Sequence, residues 1–316
     1  MSLLDVDKLT VSLAGGLPVV RGVSFALPRG GTLGLVGESG SGKSMTALAL
    51  MQLLPDGART GGSVKLNGED MLSADEARLC ALRGDRLAMI FQEPMTSLNP
   101  VHTIGDQIAE PLLVHHKQDA AEARRTAASL LQRVGIADAS RLSSYPHQLS
   151  GGQRQRAMIA MALACGPDLL IADEPTSALD VTVQAQILDL LRGLIDEAGM
   201  ALLLISHDLG VIGRIAERVM VMYGGAVMEE GPTDAVFAAR LHPYTQALFA
   251  ALPSRGARKG RRLAAVGGTV PPPQELPPGC PFYGRCPRGQ DICRDNVPPR
   301  VEDGGSTAYC FFPGRT

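Results

Sequence analysis

The chain has 316 residues, 45% of them hydrophobic, with 30 Lys and Arg against 32 Asp and Glu for a formal net charge of −2. This is an ordinary globular composition with chain enough for one large or two modest domains, and its near-neutral balance supplies no electrostatic drive toward nucleic acid. No apolar run approaches the roughly 18 residues that span a bilayer, and the opening MSLLDVDKL lacks both the basic start and the long apolar core of a signal peptide. The expectation is a cytoplasmic protein that meets a membrane, if at all, through partners.

In chain order, short alternating runs at Leu9–Leu13 and Val19–Leu27 predict antiparallel strands, and Thr32–Val36 a buried one. That strand runs into Gly37-Glu38-Ser39-Gly40-Ser41-Gly42-Lys43-Ser44, a phosphate-loop pattern, with a helix predicted over residues 44–54. The glycines let the backbone wrap phosphates with its N–H groups inward. Lys43 suits the β/γ oxygens, and the Ser44 hydroxyl suits Mg²⁺. Val64–Leu66 followed by Asn67-Gly68 predicts a hairpin. Met89–Phe91 reads as a short buried strand ending at Gln92, which could reach metal or water.

From about Ser97 to Met161 the pattern turns helical, with one helix over residues 119–134 stopping near Gly135. Leu149-Ser150-Gly151-Gly152-Gln153 opens another. A Ser cap with glycines offers N–H groups and a positive dipole end to an anion. In a chain that already holds one phosphate cradle, a second makes sense if it faces a phosphate held by another subunit. Residues 168–172 and 200–205 read as buried strands around a helix at Val183–Ala198, a βαβ crossover that implies a parallel core sheet. Ligands gather at the carboxyl ends of such strands. Asp173 there can reach the Mg²⁺ shell, Glu174 can polarise an attacking water, and His207 can touch a γ-phosphate. Val219–Met222 and Ala226–Glu229, joined by Gly224-Gly225, read as a closing hairpin.

Past Pro253 the composition shifts. A basic run (Arg255, Arg258, Lys259, Arg261, Arg262) reads as a solvated linker, with contact to headgroups or a partner as the sharper alternative. The domain boundary is placed there, giving domains 1–253 (helical subdomain about 97–163) and 254–316. Cys80 and Cys165 are isolated and read as buried small hydrophobes. Cys280, Cys286, Cys293 and Cys310 fall within the last 37 residues. Their spacing matches neither ferredoxin nor the zinc knuckle, yet so small a segment needs an organiser.

Together these motifs resemble those of an ATP-binding-cassette (ABC) ATPase across about residues 3–253. The resemblance implies an α/β P-loop NTPase core of ABC type, with a mixed, largely parallel sheet, an antiparallel N-terminal β-subdomain, an α-helical subdomain and a small Cys/Pro-rich C-terminal extension. It makes Gly37–Ser44 the Walker A motif, Gln92 the Q-loop, Leu149–Gln153 the signature and Leu169–Asp173 Walker B. Glu174 becomes the catalytic glutamate, Ser177, Ala178, Leu179 and Asp180 the D-loop, and His207 the switch histidine. Ser44, Gln92 and Asp173 would surround Mg²⁺, and ATP would lie between Walker A of one subunit and the signature of another in a head-to-tail dimer. One departure stands out. Such cassettes stack adenine on an aromatic about 23 residues before Walker A, a place that falls near Ala14; the chain has no Trp, and its first Tyr is Tyr145. Adenine is then held by aliphatic contact or by another segment.

Phe91–Pro100, Leu241–Leu248 and the Gly279-Cys280-Pro281-Phe282 tail resemble the oligopeptide/dipeptide (and nickel) importer branch. That finer resemblance implies two membrane permease subunits, a second cassette ATPase (a paralogue favoured, an identical copy the alternative) and, indirectly, an extracytoplasmic solute-binding protein. It implies a place on the cytoplasmic face of the inner membrane, and a [4Fe–4S] cluster on the four tail cysteines, with Zn²⁺, free thiols or a disulfide pair as alternatives. Import of nickel, a metallophore or another small solute is the runner-up. A soluble cassette ATPase of DNA repair or translation, or a redox-responsive regulator, are the readings from other classes; the single cassette and mild acidity argue against a nucleic-acid role.

Overall fold

A computed structural model describes residues 2–92, 97–177, 179–252 and 267–314. Glu93–Thr96 of the Q-loop, Ala178 of the D-loop, the basic run and the boundary at Pro253 lie outside the described residues. The chain begins β1 (Ser2–Leu13), β2 (Leu17–Pro28), β3 (Thr32–Val36), α1 (Lys43–Met51), β4 (Arg59–Leu66), β5 (Glu69–Asp70), α2 (Glu76–Leu82) and β6 (Leu87–Ile90). It continues with α3 (Ile104–His115), α4 (Ala120–Arg133), α5 (Gly151–Ala162), β7 (Leu169–Asp173), α6 (Val181–Ala198), β8 (Ala201–Ser206), α7 (Leu209–Ile215) and β9 (Arg218–Tyr223). It ends β10 (Ala226–Pro232), α8 (Thr233–Ala239), α9 (Pro243–Ala250), α10 (Asp291–Asp295), β11 (Arg300–Asp303) and β12 (Ser306–Tyr309). Among the described residues no helix is long and apolar enough to cross a membrane.

Strands β2-β1-β4-β5 form a four-stranded sheet in that order. The β4–β5 hairpin turns on Asn67 (φ 52°) and Gly68 (φ 83°), both left-handed as a two-residue hairpin turn requires. The chain divides into two compact units, one comprising Met1–Leu4, Ala26–Thr32 and Lys65–Ile205, the other Asp5–Phe25, Leu33–Val64 and Ser206–Thr316.

In the first unit β8, β7 and β6 lie side by side and parallel, with Leu87 opposite Leu169 and Leu169 opposite Ala201. Every residue of β7 is buried, as expected of a strand covered on both faces. The β7–α6–β8 crossover matches the sequence reading. The helical insert packs α3 on α4 and α5, with Thr103 and Asp119 capping the first two. The buried Gln107 side chain on α3 accepts from the Asn99 N–H at 2.8 Å and donates to the carbonyls of Asn99 and His102 at 3.0 Å each. It thereby pins residues 99–102 to the insert.

In the second unit the sheet order is β11-β12-β10-β9-β3. Strands β3 and β9 are parallel, and β9 and β10 form the antiparallel hairpin predicted around Gly224-Gly225. The C-terminal hairpin adds β12 antiparallel to β10 and β11 to β12. A fully buried carboxylate, Glu229, fastens this addition: it accepts from the N–H groups of Leu241 (2.8 Å) and His242 (2.9 Å) and from the Ser306 hydroxyl (2.7 Å). The tail also inserts Phe282, 1% exposed, against the rings of Tyr223 and Tyr244.

Three expectations need correction. The buried strand expected at Met89–Phe91 runs Leu87–Ile90 instead, and Phe91 lies exposed after its end. Helix α1 stops at Met51, not residue 54: Gln52 takes the left-handed conformation (φ 51°) and its N–H caps the end, and Pro55 disfavours helix at the residue before it. Neither isolated cysteine is buried. Cys80 lies exposed on α2, 3.4 Å from a Glu76 oxygen, and Cys165 is half-buried. Burial and the Asp85 carboxylate push the Cys165 thiol up to about 11. The tail's place in the core makes a measurable claim: Phe282→Ala should destabilise the protein by roughly 3–5 kcal/mol in denaturant titration, and a loss below about 1 kcal/mol would show that the ring is not a core element.

Candidate functional site

In the second unit the phosphate loop leaves the buried β3 and enters α1. The backbone is packed too closely for side chains: a Cβ at Gly37 would overlap the Met222 carbonyl oxygen, and one at Gly42 (φ 96°) would come 2.7 Å from the Val19 carbonyl. Gly42 caps α1 without any side-chain hydrogen bond, so no side chain caps the first N–H groups of the helix, whose positive dipole end suits an anion. The Lys43 ammonium curls back to donate to the carbonyls of Gly37 (2.7 Å) and Glu38 (3.0 Å) and to the Ser41 hydroxyl (3.3 Å). His207, in the same unit, is exposed at the residue after β8.

Two residues outside the nucleotide-site motifs hold this loop. The buried Tyr244 hydroxyl accepts from the Glu38 N–H at 2.8 Å. Arg285, its side chain 8% exposed, donates to both Glu38 carboxylate oxygens (3.2 and 3.0 Å) and to the Tyr223 hydroxyl (3.1 Å). Their sequence separations from Glu38, 206 and 247 residues, hide the connection from any local motif.

In the first unit the structure joins Gln92, Glu174 and Ser177. Gln92 Nε2 donates to Glu174 Oε2 at 3.2 Å, and the Ser177 hydroxyl lies 3.1 Å from the Gln92 carbonyl and 3.0 Å from that of Glu174. Glu174 has φ 48°, a left-handed conformation rare for a residue with a side chain, which its N–H stabilises by donating to the Ile205 carbonyl at 2.9 Å. Asp173, buried, closes β7. Ser150 caps α5 in a reciprocal box with Gln153: its hydroxyl accepts from the Gln153 N–H at 3.3 Å, and Gln153 Oε1 accepts from the Ser150 N–H at 3.0 Å. The cap therefore consumes one N–H that the sequence reading left for an anion. Leu149 is buried, and a Cβ on Gly152 would come 3.1 Å from Val183, so the signature start lies against the start of α6. Asp180 caps that helix, accepting from Thr182 and Val183 at 3.0 Å each, with Leu179 beside Gly151.

Residues 20–177 match the family model described as ABC transporter, and residues 228–293 match the oligopeptide/dipeptide transporter C-terminal region. The chain is 50% identical over 300 residues to the oligopeptide transport ATP-binding protein AppD of Bacillus subtilis, covering 94% of this chain and 91% of that one. The chain belongs to the ABC transporter ATPases. It is also 50% identical over 313 residues to a putative peptide import ATP-binding protein of Brucella abortus, covering 98% and 94% of the two chains. The solved dimeric cassette MJ0796, in a post-hydrolysis state bound to ADP and Pi, superposes with a TM-score of 0.65 at 28% identity, covering 73% of this chain and 98% of that one. The cassette cbiO1 of Clostridium perfringens gives 0.66 at 25% identity, covering 76% and 92%. These matches establish the ABC fold and an ATPase that hydrolyses ATP in transport.

The extension of this ABC ATPase gathers Cys280, Cys286, Cys293 and Cys310 around one cavity with His242. Burial pushes the Cys280 thiol up to about 12; the Phe282 N–H opposes this, and the other three cysteines add to it. Burial likewise raises Cys286 and Cys310, opposed by the N–H groups of Arg288 and Phe312. At each of these three cysteines the opposing N–H lies two residues on, an arrangement that stabilises thiolate. The fully buried His242 accepts from the Tyr244 N–H through Nδ1 at 3.0 Å, leaving Nε2 as the N–H, and Nε2 has no hydrogen-bond partner among the described residues. Burial holds its pKa down at about 3, so it stays a neutral donor. Four thiolates on one zinc ion would lie roughly 3.8 Å apart. Among the described residues no three of these sulfurs lie within 4.8 Å of one another, whereas the donor atoms of Asp85, His116 and Cys165 do. Four sulfur donors suit either zinc or an iron–sulfur group.

Arg285 supplies the test of the loop's support. Arg285→Ala should weaken binding of both ATP and tripolyphosphate about fivefold, the order of one partly buried ion pair, while turnover at saturating ATP holds. Arg285→Lys should recover only part, since a point charge cannot span both Glu38 oxygens. Unchanged dissociation constants by calorimetry would remove Arg285 from the site.

Proposed function

We propose that this chain is the ATP-hydrolysing subunit of an importer for di- and oligopeptides, working through separate permease subunits. The observation that carries the substrate class is the match of residues 228–293 to the oligopeptide/dipeptide transporter C-terminal region, supported by relatives named for peptide import over most of the chain. In this reading residues 1–253 are the ATPase domain, with the helical subdomain at about 97–163, and 254–316 the extension. Residues Gly37–Ser44 wrap the phosphates, Lys43 neutralises the β/γ oxygens, and Ser44, Gln92 and Asp173 surround Mg²⁺. Glu174 polarises the attacking water, and His207 contacts the γ-phosphate. Gln92 is bonded to Glu174, so a change at the γ-phosphate moves the segment that leads into the helical insert, and the insert carries the motion to a permease. The reading extends to a paralogous ATPase as dimer partner, a solute-binding protein outside the membrane and a peripheral place on its inner face.

Leu149–Gln153 and the D-loop (Ser177–Asp180) complete the neighbour's nucleotide site in trans. Glu174→Gln should bind ATP with normal affinity, lose at least a hundredfold in turnover and persist as an ATP-bound dimer in gel filtration, with the partner ATPase present. Adding Ser150→Arg should abolish that dimer while ATP binding at Lys43 persists. A Glu174→Gln protein that hydrolyses at the wild-type rate would contradict the assignment.

The four cysteines of the extension hold a [4Fe–4S] cluster in this proposal. Such a group would supply a cross-link for a segment too small to fold on its own core, and a charge that depends on redox state. His242 donates its Nε2 N–H toward the sulfur environment. Protein purified without oxygen should carry about four iron atoms per chain with a visible absorption band, and Cys286→Ser should lose both. One zinc and no iron would select the alternative metal.

A further inference from the structure

We propose that the C-terminal extension forms one wall of the nucleobase subsite, so that the purine lies in an apolar cavity between β2 and residues 270–276. The inference rests on the nucleotide-binding reading above and adds where and how the base is held. A cavity of about 270 Å³ opens beside Gly40, Gly42 and Met45 of the phosphate loop and helix. Its volume is close to the lower bound, roughly 300 Å³, of small-molecule sites. Pro18 and Val19 of β2 line it, together with Val270, Pro272 and Leu276 of the extension.

Backbone contacts fix these walls relative to the loop. The Arg21 N–H donates to the Gly225 carbonyl at 2.8 Å, and the Gly225 N–H donates to the Ser41 carbonyl at 3.0 Å. Arg21 also donates through Nη2 to the Pro277 carbonyl at 3.3 Å, and Leu276 sits over Gly224, where a Cβ would come 3.0 Å from its methyl. Ala14, where a stacking aromatic is expected, is exposed in the preceding turn and does not line the cavity. The cavity is apolar space adjoining the α1 end of the loop, at Gly40, Gly42 and Met45.

The chemistry of the lining sets the selectivity. No lining residue has a polar side chain. Proline rings, aliphatic groups and the Met45 thioether can cover the faces of a purine, but no side chain reads its exocyclic edge. A site without such hydrogen bonds discriminates weakly between bases. The extension thereby contributes directly to nucleotide affinity.

The test measures binding of ATP, GTP and tripolyphosphate, each with Mg²⁺, to the full chain by calorimetry. Wild type should bind ATP and GTP within about fivefold of each other. Leu276→Asp, and the milder Val270→Gly should the first fold poorly, should weaken ATP about tenfold, the order of one lost aliphatic contact, and leave tripolyphosphate unchanged. Unchanged ATP affinity in both variants would place the base elsewhere and overturn the proposal. So would an equal loss of ATP and tripolyphosphate, which would make the segment a prop for the loop rather than a wall for the base. Wild type that binds neither ligand would sink the nucleotide reading itself.

Discussion

The second unit depends on a backbone contact that admits no side chain. Strands β3 and β9 run parallel, Val36 opposite Val221, so the phosphate loop emerges directly against the end of β9, where Gly37 meets the Met222 carbonyl. Any larger residue would push the loop off the strand that positions it. That contact places the loop at the carboxyl end of β3, where ligands of such sheets bind. It also makes the β9–β10 hairpin, through Gly225 and Ser41, part of the loop's support.

The extension grows from that same hairpin. Tyr223, the last residue of β9, is fully buried between Tyr244 and Phe282, and its hydroxyl accepts from Arg285. Arg285 lies next to Cys286 and binds Glu38 of the loop. A change in how the four cysteines are held has a path of one residue and one ion pair to the phosphate loop. The segment past the cassette thus packs against the phosphate loop through Glu38, and Glu229 ties its final hairpin to the same sheet.

Much of the first unit was legible in the sequence because parallel strands covered on both faces read as unbroken apolar runs: Leu169–Ala172 and Leu202–Ile205 announce themselves. Glycine-rich turns were legible for a related reason, since a Cβ would clash at Gly37 and Gly42, and Gly68 takes a left-handed φ of 83° that side chains rarely adopt. The tail's strands were not. Arg-Val-Glu-Asp and Ser-Thr-Ala-Tyr are short and largely polar; the second pairs with the edge that β10 presents, and the first pairs only with the second. Glu229 reads as a surface residue of a hairpin until its three donors, from Leu241, His242 and Ser306, are seen. The support of Glu38 by Tyr244 and Arg285 is a tertiary fact, spanning more than half the chain. Cys80 and Cys165 show the converse error: cysteine's usual burial lost to the faces their local structure presents to solvent.

Amide hydrogen exchange on the full chain, with and without a non-hydrolysable ATP analogue and Mg²⁺, tests most directly whether the loop and the extension form one nucleotide-responsive element. Slower exchange is expected on nucleotide addition both at residues 37–46 and across residues 270–286. Protection confined to the loop, with the extension exchanging at the same rate in both states, would contradict it.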